Sequence, residues 1–109
     1  MHLFKDHPRT LFDLLEVRAL LEGESAWLAA NRGTSADRVL ITRRYREMAD
    51  YVETAETIDV ERLARLDHAF HLAVSQASHN PVLVHTLQSL TDLLLSSVFA
   101  SVKHLYHLP

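Results

Sequence analysis

The chain has 109 residues, of which 48% are apolar and 23% charged, a balance typical of one globular domain. A net charge of −3 argues against a basic nucleic-acid-binding surface. The absence of cysteine excludes disulfides, thiolate zinc sites and cysteine nucleophiles. Only two Gly and three Pro leave too few turn residues for a many-stranded β-sandwich or barrel. No apolar run reaches the roughly 18 residues that indicate a membrane span.

The first half of the chain predicts two helices. Thr10 is the predicted N-cap of the first, because apolar residues recur at helical spacing from Leu11 onward. Gly33 lies where a C′ glycine commonly ends a helix. Ser35 is the predicted cap of a second helix over about residues 36–54, and residues 55–58 form a connection.

The second half predicts two more helices. Asp59 is the predicted cap of a third helix over about residues 60–77. Asn80 followed by Pro81 combines a favoured N-cap with a favoured first helical residue, and a fourth helix then extends to about residue 106. The predicted fold class is therefore all-α, an antiparallel helical bundle with short loops.

The fourth predicted helix has more apolar side chains than three shorter helices can cover. We therefore expect an exposed apolar groove along Leu87, Leu94 and Val98, or self-association of the chain. The sequence ends at Leu108 and Pro109, and a proline commonly follows a helix end and leads to another segment. The other expectation is that further helices beyond this point cover the surplus apolar side chains.

The third predicted helix has two polar residues beside its apolar stripe. With Leu63 as the origin and 100° per residue, Asp67 falls at about 40° and His71 at about 80°. A carboxylate and an imidazole one turn apart on an inward face can chelate a divalent metal. The alternative is an Asp–His hydrogen bond without metal, since two residues alone do not make a metal site. His68 points further round the helix and is less suited to the same ion.

Arg18 is the corresponding polar residue of the first helix. It lies between leucines on the inner face, and Glu22 follows one turn later. Two interpretations remain open: a self-satisfied Arg18–Glu22 pair, or a guanidinium that binds a small anionic ligand through its bidentate fork. Arg18, Asp67 and His71 are all expected to project into one bundle core.

Motifs for catalysis are absent from the sequence. It has no Ser–His–Asp order, no Gly-rich phosphate loop and no His-Glu-x-x-His motif. A metalloenzyme that used Asp67 and His71 would need a positioned base, and none is evident. His104 and His107, three residues apart near the chain end, are a weaker candidate pair for chelation. The chain is therefore predicted not to be an enzyme.

Several segments together resemble the effector-binding C-terminal domain, called FCD, of GntR-type transcription regulators of the FadR subfamily. They are residues 14–22, 28–30, 66–71 and 77–80, and the Asp-x-x-Phe-His pattern from Asp67 to His71 is the most specific of them. Residues 18–26, 87–93 and 97–102 look like those of the family members that control glycolate utilisation.

The resemblance implies a regulator whose helical domain binds a small carboxylate metabolite, glycolate or a related 2-hydroxy acid, beside a divalent metal. It makes Asp67 and His71 metal ligands and Arg18 a carboxylate contact. Zinc, nickel and manganese are not distinguished.

The resemblance also implies a cytoplasmic homodimer that binds operator DNA through an N-terminal winged helix-turn-helix domain. Residues 1–109 then form part of the effector-binding and dimerisation domain, without the DNA-binding domain. They would also lack the later helices that supply two more metal-binding histidines, which leaves half a metal site. The competing hypotheses are a helical interaction module without ligand and, less favoured, a metalloenzyme fragment.

Overall fold

The computed structural model describes the backbone of residues 8–106 and the side chains of residues 9–96. It contains the helices α1 (Pro8–Arg32), α2 (Ser35–Thr54), α3 (Val60–Gln76) and α4 (Pro81–Tyr106). No strand occurs in this part of the chain, so the all-α prediction is confirmed. No helix within it has an apolar stretch long enough to cross a membrane.

Local capping explains where α3 and α4 begin, as predicted. The Asp59 side chain accepts hydrogen bonds from the backbone N–H groups of Glu61 and Arg62. Asn80 Oδ1 accepts from the Leu83 N–H at 3.1 Å, and Pro81 is the first residue of α4. Each cap satisfies helix N–H groups that have no partner within the helix.

The starts of the first two helices differ from the prediction. Helix α1 already includes Pro8, so Thr10 lies inside it instead of capping it. Thr34, not Ser35, caps α2. The reason is a capping box: with Thr34 as the cap, Asp37 occupies the third helical position, where its carboxylate accepts from the Thr34 N–H and the Thr34 hydroxyl accepts from the Asp37 N–H.

Gly33 ends α1 for a reason other than the predicted one. No glycine among the described residues has a positive φ, so Gly33 is not a left-handed C′ residue. Its N–H donates to the Ala29 carbonyl at 2.7 Å, and a Cβ at position 33 would lie 2.6 Å from that oxygen. Close backbone approach therefore favours glycine here.

The helices form an open layer instead of a closed four-helix bundle. Helix α3 contacts all three other helices and α1 packs on α4, whereas α2 contacts only α3 within the described chain. The Cα atoms span 54 × 37 × 16 Å, and the short dimension allows about two helix layers at the usual 8–10 Å spacing. The buried apolar side chains are Leu14, Ala73, Ala77, Leu83, Leu87 and Leu94.

Surplus apolar surface is present, but it is not where the sequence predicted it. Leu87 and Leu94 are buried, because α4 packs this side against its neighbours, and the Val98 side chain lies outside the described set. On α1, in contrast, Phe12, Leu20 and Trp27 are 69%, 67% and 61% exposed.

Candidate functional site

A small cavity with both apolar and polar side chains in its lining lies where α1, α3 and α4 meet. It encloses about 40 Å³, and a water molecule takes about 30 Å³ in the liquid. Its polar lining consists of Arg18, Glu22 and Ser25 from α1, His68, His71 and Ser75 from α3, and Gln88 and Thr91 from α4. Three helices thus contribute cationic, anionic and neutral hydrogen-bonding groups to one partly open space.

Arg18 faces this cavity and also pairs with Glu22. Its Nε lies 3.1 Å from Glu22 Oε1, so the self-paired arrangement is formed. The buried Nε nevertheless makes no hydrogen bond within the described residues, since an N–H must point at its acceptor as well as lie close to it. The contact is therefore an ion pair without a directed hydrogen bond, and the guanidinium retains donor capacity.

His71 and Asp67 lie one turn apart on α3, but they line different cavities. His71 lines the same cavity as Arg18, as expected. Asp67 lines a separate groove of about 690 Å³ between α2 and α3, and its side chain is 52% exposed. The inward position expected for Asp67 is therefore wrong. The helical-wheel argument assumed one buried stripe on α3, whereas α3 packs against α2 on one side and against α1 and α4 on the other.

The Asp67 and His71 donor atoms nevertheless fit a shared divalent metal. Asp67 Oδ1 lies 3.4 Å from His71 Nε2, which is long for a hydrogen bond. Two donors at the usual zinc distances of about 2.1 Å and a tetrahedral angle lie about 3.4 Å apart. Among the residues that the structure describes, no third His, Cys, Asp or Glu joins them in a cluster. The other candidate pair, His104 and His107, lies outside the described side chains.

Several cavity residues were missed or undervalued at the sequence level. Ser25 is 2% exposed, and its hydroxyl has no hydrogen-bond partner in the described part of the chain. Its seven-residue spacing from Arg18, which places both on one face of a helix, was the available signal. His68 lines the cavity despite its position further round α3. Gln88 and Thr91 gave no distinctive signal, because polar residues on a long helix usually face solvent.

The fold and this cavity define an all-α domain in which three helices contribute polar side chains to one small site. The FCD domain family model matches residues 13–107, and the chain belongs to this family. The predicted resemblance to GntR-type regulators of the FadR subfamily is thereby confirmed.

The relatives are named as regulators of operons. The chain is 64% identical over its whole length to the Glc operon transcriptional activator of Escherichia coli (strain K12), and it covers 43% of that protein. It is 36% identical, over 98% of its length and 39% of the relative, to the putative L-lactate dehydrogenase operon regulatory protein of the same strain. It is also 41% identical to the HTH-type transcriptional regulator LutR of Bacillus subtilis (strain 168), over 78% of the chain and 36% of the relative.

The chain thus spans less than half the length of the curated relatives it matches. These relatives are transcriptional regulators and not enzymes, which confirms the non-enzymatic prediction. No solved structure gives a significant match.

Proposed function

We propose that this chain is the ligand-sensing and dimerisation domain of a GntR-family transcriptional regulator that responds to a small carboxylate, glycolate or a related 2-hydroxy acid. The observation that carries the proposal is the shared cavity of Arg18 and His71. The names of the relatives support the ligand class, since one regulates the Glc operon and another an operon for L-lactate, a 2-hydroxy acid.

Arg18 is the proposed carboxylate-binding residue. A guanidinium donates two parallel hydrogen bonds to a carboxylate, and partial burial strengthens such charge-assisted bonds. Glu22 occupies the guanidinium in the structure, so an incoming acid exchanges with the Glu22 carboxylate. Glu22 is therefore a competitor that keeps Arg18 paired when no effector is bound.

Asp67 and His71 are the proposed metal-binding residues, and the spacing of their donor atoms supports this role. A bound zinc, nickel or manganese ion would supply positive charge next to the cavity, which favours an anionic ligand. His71 orients toward the acid-binding space, while Asp67 approaches from the α2 side of α3.

The regulatory step follows from differential binding. An acid that contacts both α1 and α3 binds more tightly to conformations in which these two helices lie close together. Binding therefore raises the population of those conformations. In the intact cytoplasmic regulator, this shift alters how two N-terminal winged helix-turn-helix domains are held on operator DNA.

Calorimetric titration of the full-length natural protein with glycolate tests the role of Arg18. Arg18→Ala is expected to weaken binding by about 10- to 100-fold, because one charge-assisted pair is lost. Arg18→Lys keeps the charge but not the bidentate fork, so its affinity for glycolate is expected to lie between those of the wild type and Arg18→Ala. Glu22→Gln is expected to tighten binding, and Arg38→Ala, an exposed arginine on α2, serves as the unchanged control. Wild-type affinity in Arg18→Ala, or no binding by the wild type, would contradict the proposal and favour a helical interaction module.

A second copy of the chain is the proposed partner of the exposed α1 face formed by Phe12, Leu20 and Trp27. All three side chains are more than 60% exposed, so one face of α1 presents large apolar groups that the described fold does not cover. The exposed aromatic and leucine side chains are typical anchors of such an interface.

Sedimentation measures this association directly. The wild type is expected to form a dimer, and Leu20→Lys and Trp27→Lys are expected to shift it to monomer by placing charge in a desolvated contact. Val39→Lys, at an equally exposed apolar position on α2, is the control that remains dimeric. A monomeric wild type at concentrations of tens of micromolar would overturn this assignment.

A further inference from the structure

Ser25 holds a buried hydroxyl that the fold leaves unsatisfied. Its residue is 2% exposed, and Oγ has no hydrogen-bond partner among the described residues. The two other buried serines are satisfied: Ser75 Oγ donates to the Leu72 carbonyl, and Ser78 Oγ donates to the Ser75 carbonyl. A serine within a helix commonly bonds a carbonyl of the preceding turn, and Ser25 does not. Buried polar groups are nearly always hydrogen-bonded, so this hydroxyl points to a partner that the described backbone and side chains do not supply.

The position of Ser25 suggests what that partner is. Ser25 lines the cavity and lies on the same face of α1 as Arg18. The contact between Arg18 Nε and Glu22 Oε1 brings the guanidinium along α1 toward Ser25. From Glu22 to Ser25 the helix rises by only about 4.5 Å. One small molecule with a carboxylate at one end and a hydroxyl at the other can therefore contact both residues.

Two of the other polar groups of the cavity already have a hydrogen-bond partner. The Gln88 amide uses one of its N–H groups to donate to Asp92 Oδ1 at 3.2 Å. The Ser75 hydroxyl is held by its own helix. A free serine hydroxyl both donates and accepts, which matches the hydroxyl group of a 2-hydroxy acid.

We propose that Ser25 is the specificity-determining residue that recognises the 2-hydroxyl group of the effector, so that the site prefers glycolate to acetate. The inference rests on the proposed function, because it takes Arg18 as the carboxylate contact. Acetate fills the same carboxylate position but leaves the Ser25 hydroxyl buried without a partner. The site thus discriminates against the acid that lacks the hydroxyl.

Titrations of the longest natural form with glycolate and with acetate, at one fixed zinc concentration, test the proposal. Ser25→Ala is expected to lower glycolate affinity by about 10-fold and to leave acetate affinity unchanged. Ser75→Ala removes a buried hydroxyl from the same cavity that is already bonded, and it is expected to keep the wild-type ratio of the two affinities. The glycolate hydroxyl could also bind the metal and so favour glycolate over acetate. A fixed metal concentration keeps this contribution the same in every variant.

Thermal unfolding without ligand separates recognition from packing. Ser25→Ala is expected to be as stable as the wild type or more stable, because it deletes an unsatisfied group without adding volume. A glycolate-to-acetate ratio that stays the same in Ser25→Ala, or equal losses for both acids, overturns this inference alone. A wild type that binds neither acid overturns the proposed function together with it.

Discussion

Asp37 Oδ2 and His79 Nε2 lie 2.7 Å apart, although the two residues are 42 positions apart in the chain. Asp37 lies in the first turn of α2, and His79 lies in the turn that links α3 to α4. The Arg32 guanidinium adds a hydrogen bond to the Ser78 carbonyl at 3.1 Å. The His79 side chain is half-exposed although it makes this contact.

The first prediction concerns acid stability. The backbone N–H of Thr34, followed by the His79 side chain, lowers the pKa of the Asp37 carboxyl. Because the pKa is lower in the folded state, Asp37 contributes its full stabilisation at pH values above the ordinary aspartate pKa near 3.9. This stabilisation is lost as the pH falls through the folded-state pKa. Urea unfolding from pH 7 to pH 2.5 is expected to show a smaller loss for Asp37→Asn than for the wild type. Asp50→Asn on the same helix is the control, and identical pH profiles for wild type and Asp37→Asn would contradict the argument.

The second prediction concerns the backbone of His79, which has a φ of 54°. This left-handed conformation costs a residue with a Cβ about 1 kcal/mol, whereas glycine adopts it freely. His79→Ala and His79→Gly both lose the contact with Asp37, so their difference isolates the backbone effect. Denaturant unfolding at pH 7 is expected to give an alanine variant less stable than the glycine variant by about 1 kcal/mol. Equal stabilities would show that the turn relaxes.

The third prediction compares the two glycines of the chain. Gly23→Ala places its Cβ in open space within α1, and it is expected to raise the free energy of unfolding by about 0.5–1 kcal/mol. Gly33→Ala places its Cβ 2.6 Å from the Ala29 carbonyl oxygen, and this variant is expected to lower the free energy of unfolding by about 1–3 kcal/mol. Thermal unfolding at a concentration where the chain is monomeric measures both, and effects of the same sign would count against the described packing.

The fourth prediction concerns metal binding. Asp67 and His71 leave most of the coordination of a divalent ion to water, so the 109-residue chain is expected to bind zinc weakly and an intact homologue tightly. Binding is expected to weaken as the pH is lowered, because protons compete for the imidazole nitrogen. His71→Ala is expected to abolish zinc binding in the intact protein and Asp67→Asn to reduce it strongly, as followed by calorimetry.

His85→Ala, an exposed histidine of α4, is the matched control for that experiment. Nanomolar binding by the 109-residue chain itself, or by its His71→Ala variant, would mean that a different set of ligands holds the metal.

The sequence predicted several features that depend on neighbouring residues, although it misplaced the caps of α1 and α2. The caps at Asp59 and Asn80 were found because a cap satisfies N–H groups two or three residues away. The long-range features were harder to predict. The exposure of Asp67 depends on where α2 packs, which no local pattern specifies. The isolation of the Ser25 hydroxyl depends on which partners three helices fail to supply, and the pattern of apolar residues carries no information on this.

The attachment of α2 to a single neighbour has a consequence for how the protein opens. Among its polar contacts are the Tyr51 hydroxyl, which accepts a 2.8 Å hydrogen bond from the Asp59 N–H, and the Tyr51 ring, which lies 4.6 Å below the Arg62 guanidinium. The Asp37–His79 contact also holds the first turn of α2 to the turn between α3 and α4. The amides of α2 are therefore expected to exchange with solvent deuterium through a partial opening that costs less than global unfolding, while those of α1, α3 and α4 open together. Such an opening would expose the Asp67 side of α3 and leave the cavity of Arg18 and Ser25 closed, so the two sides of α3 would respond to solvent on different timescales.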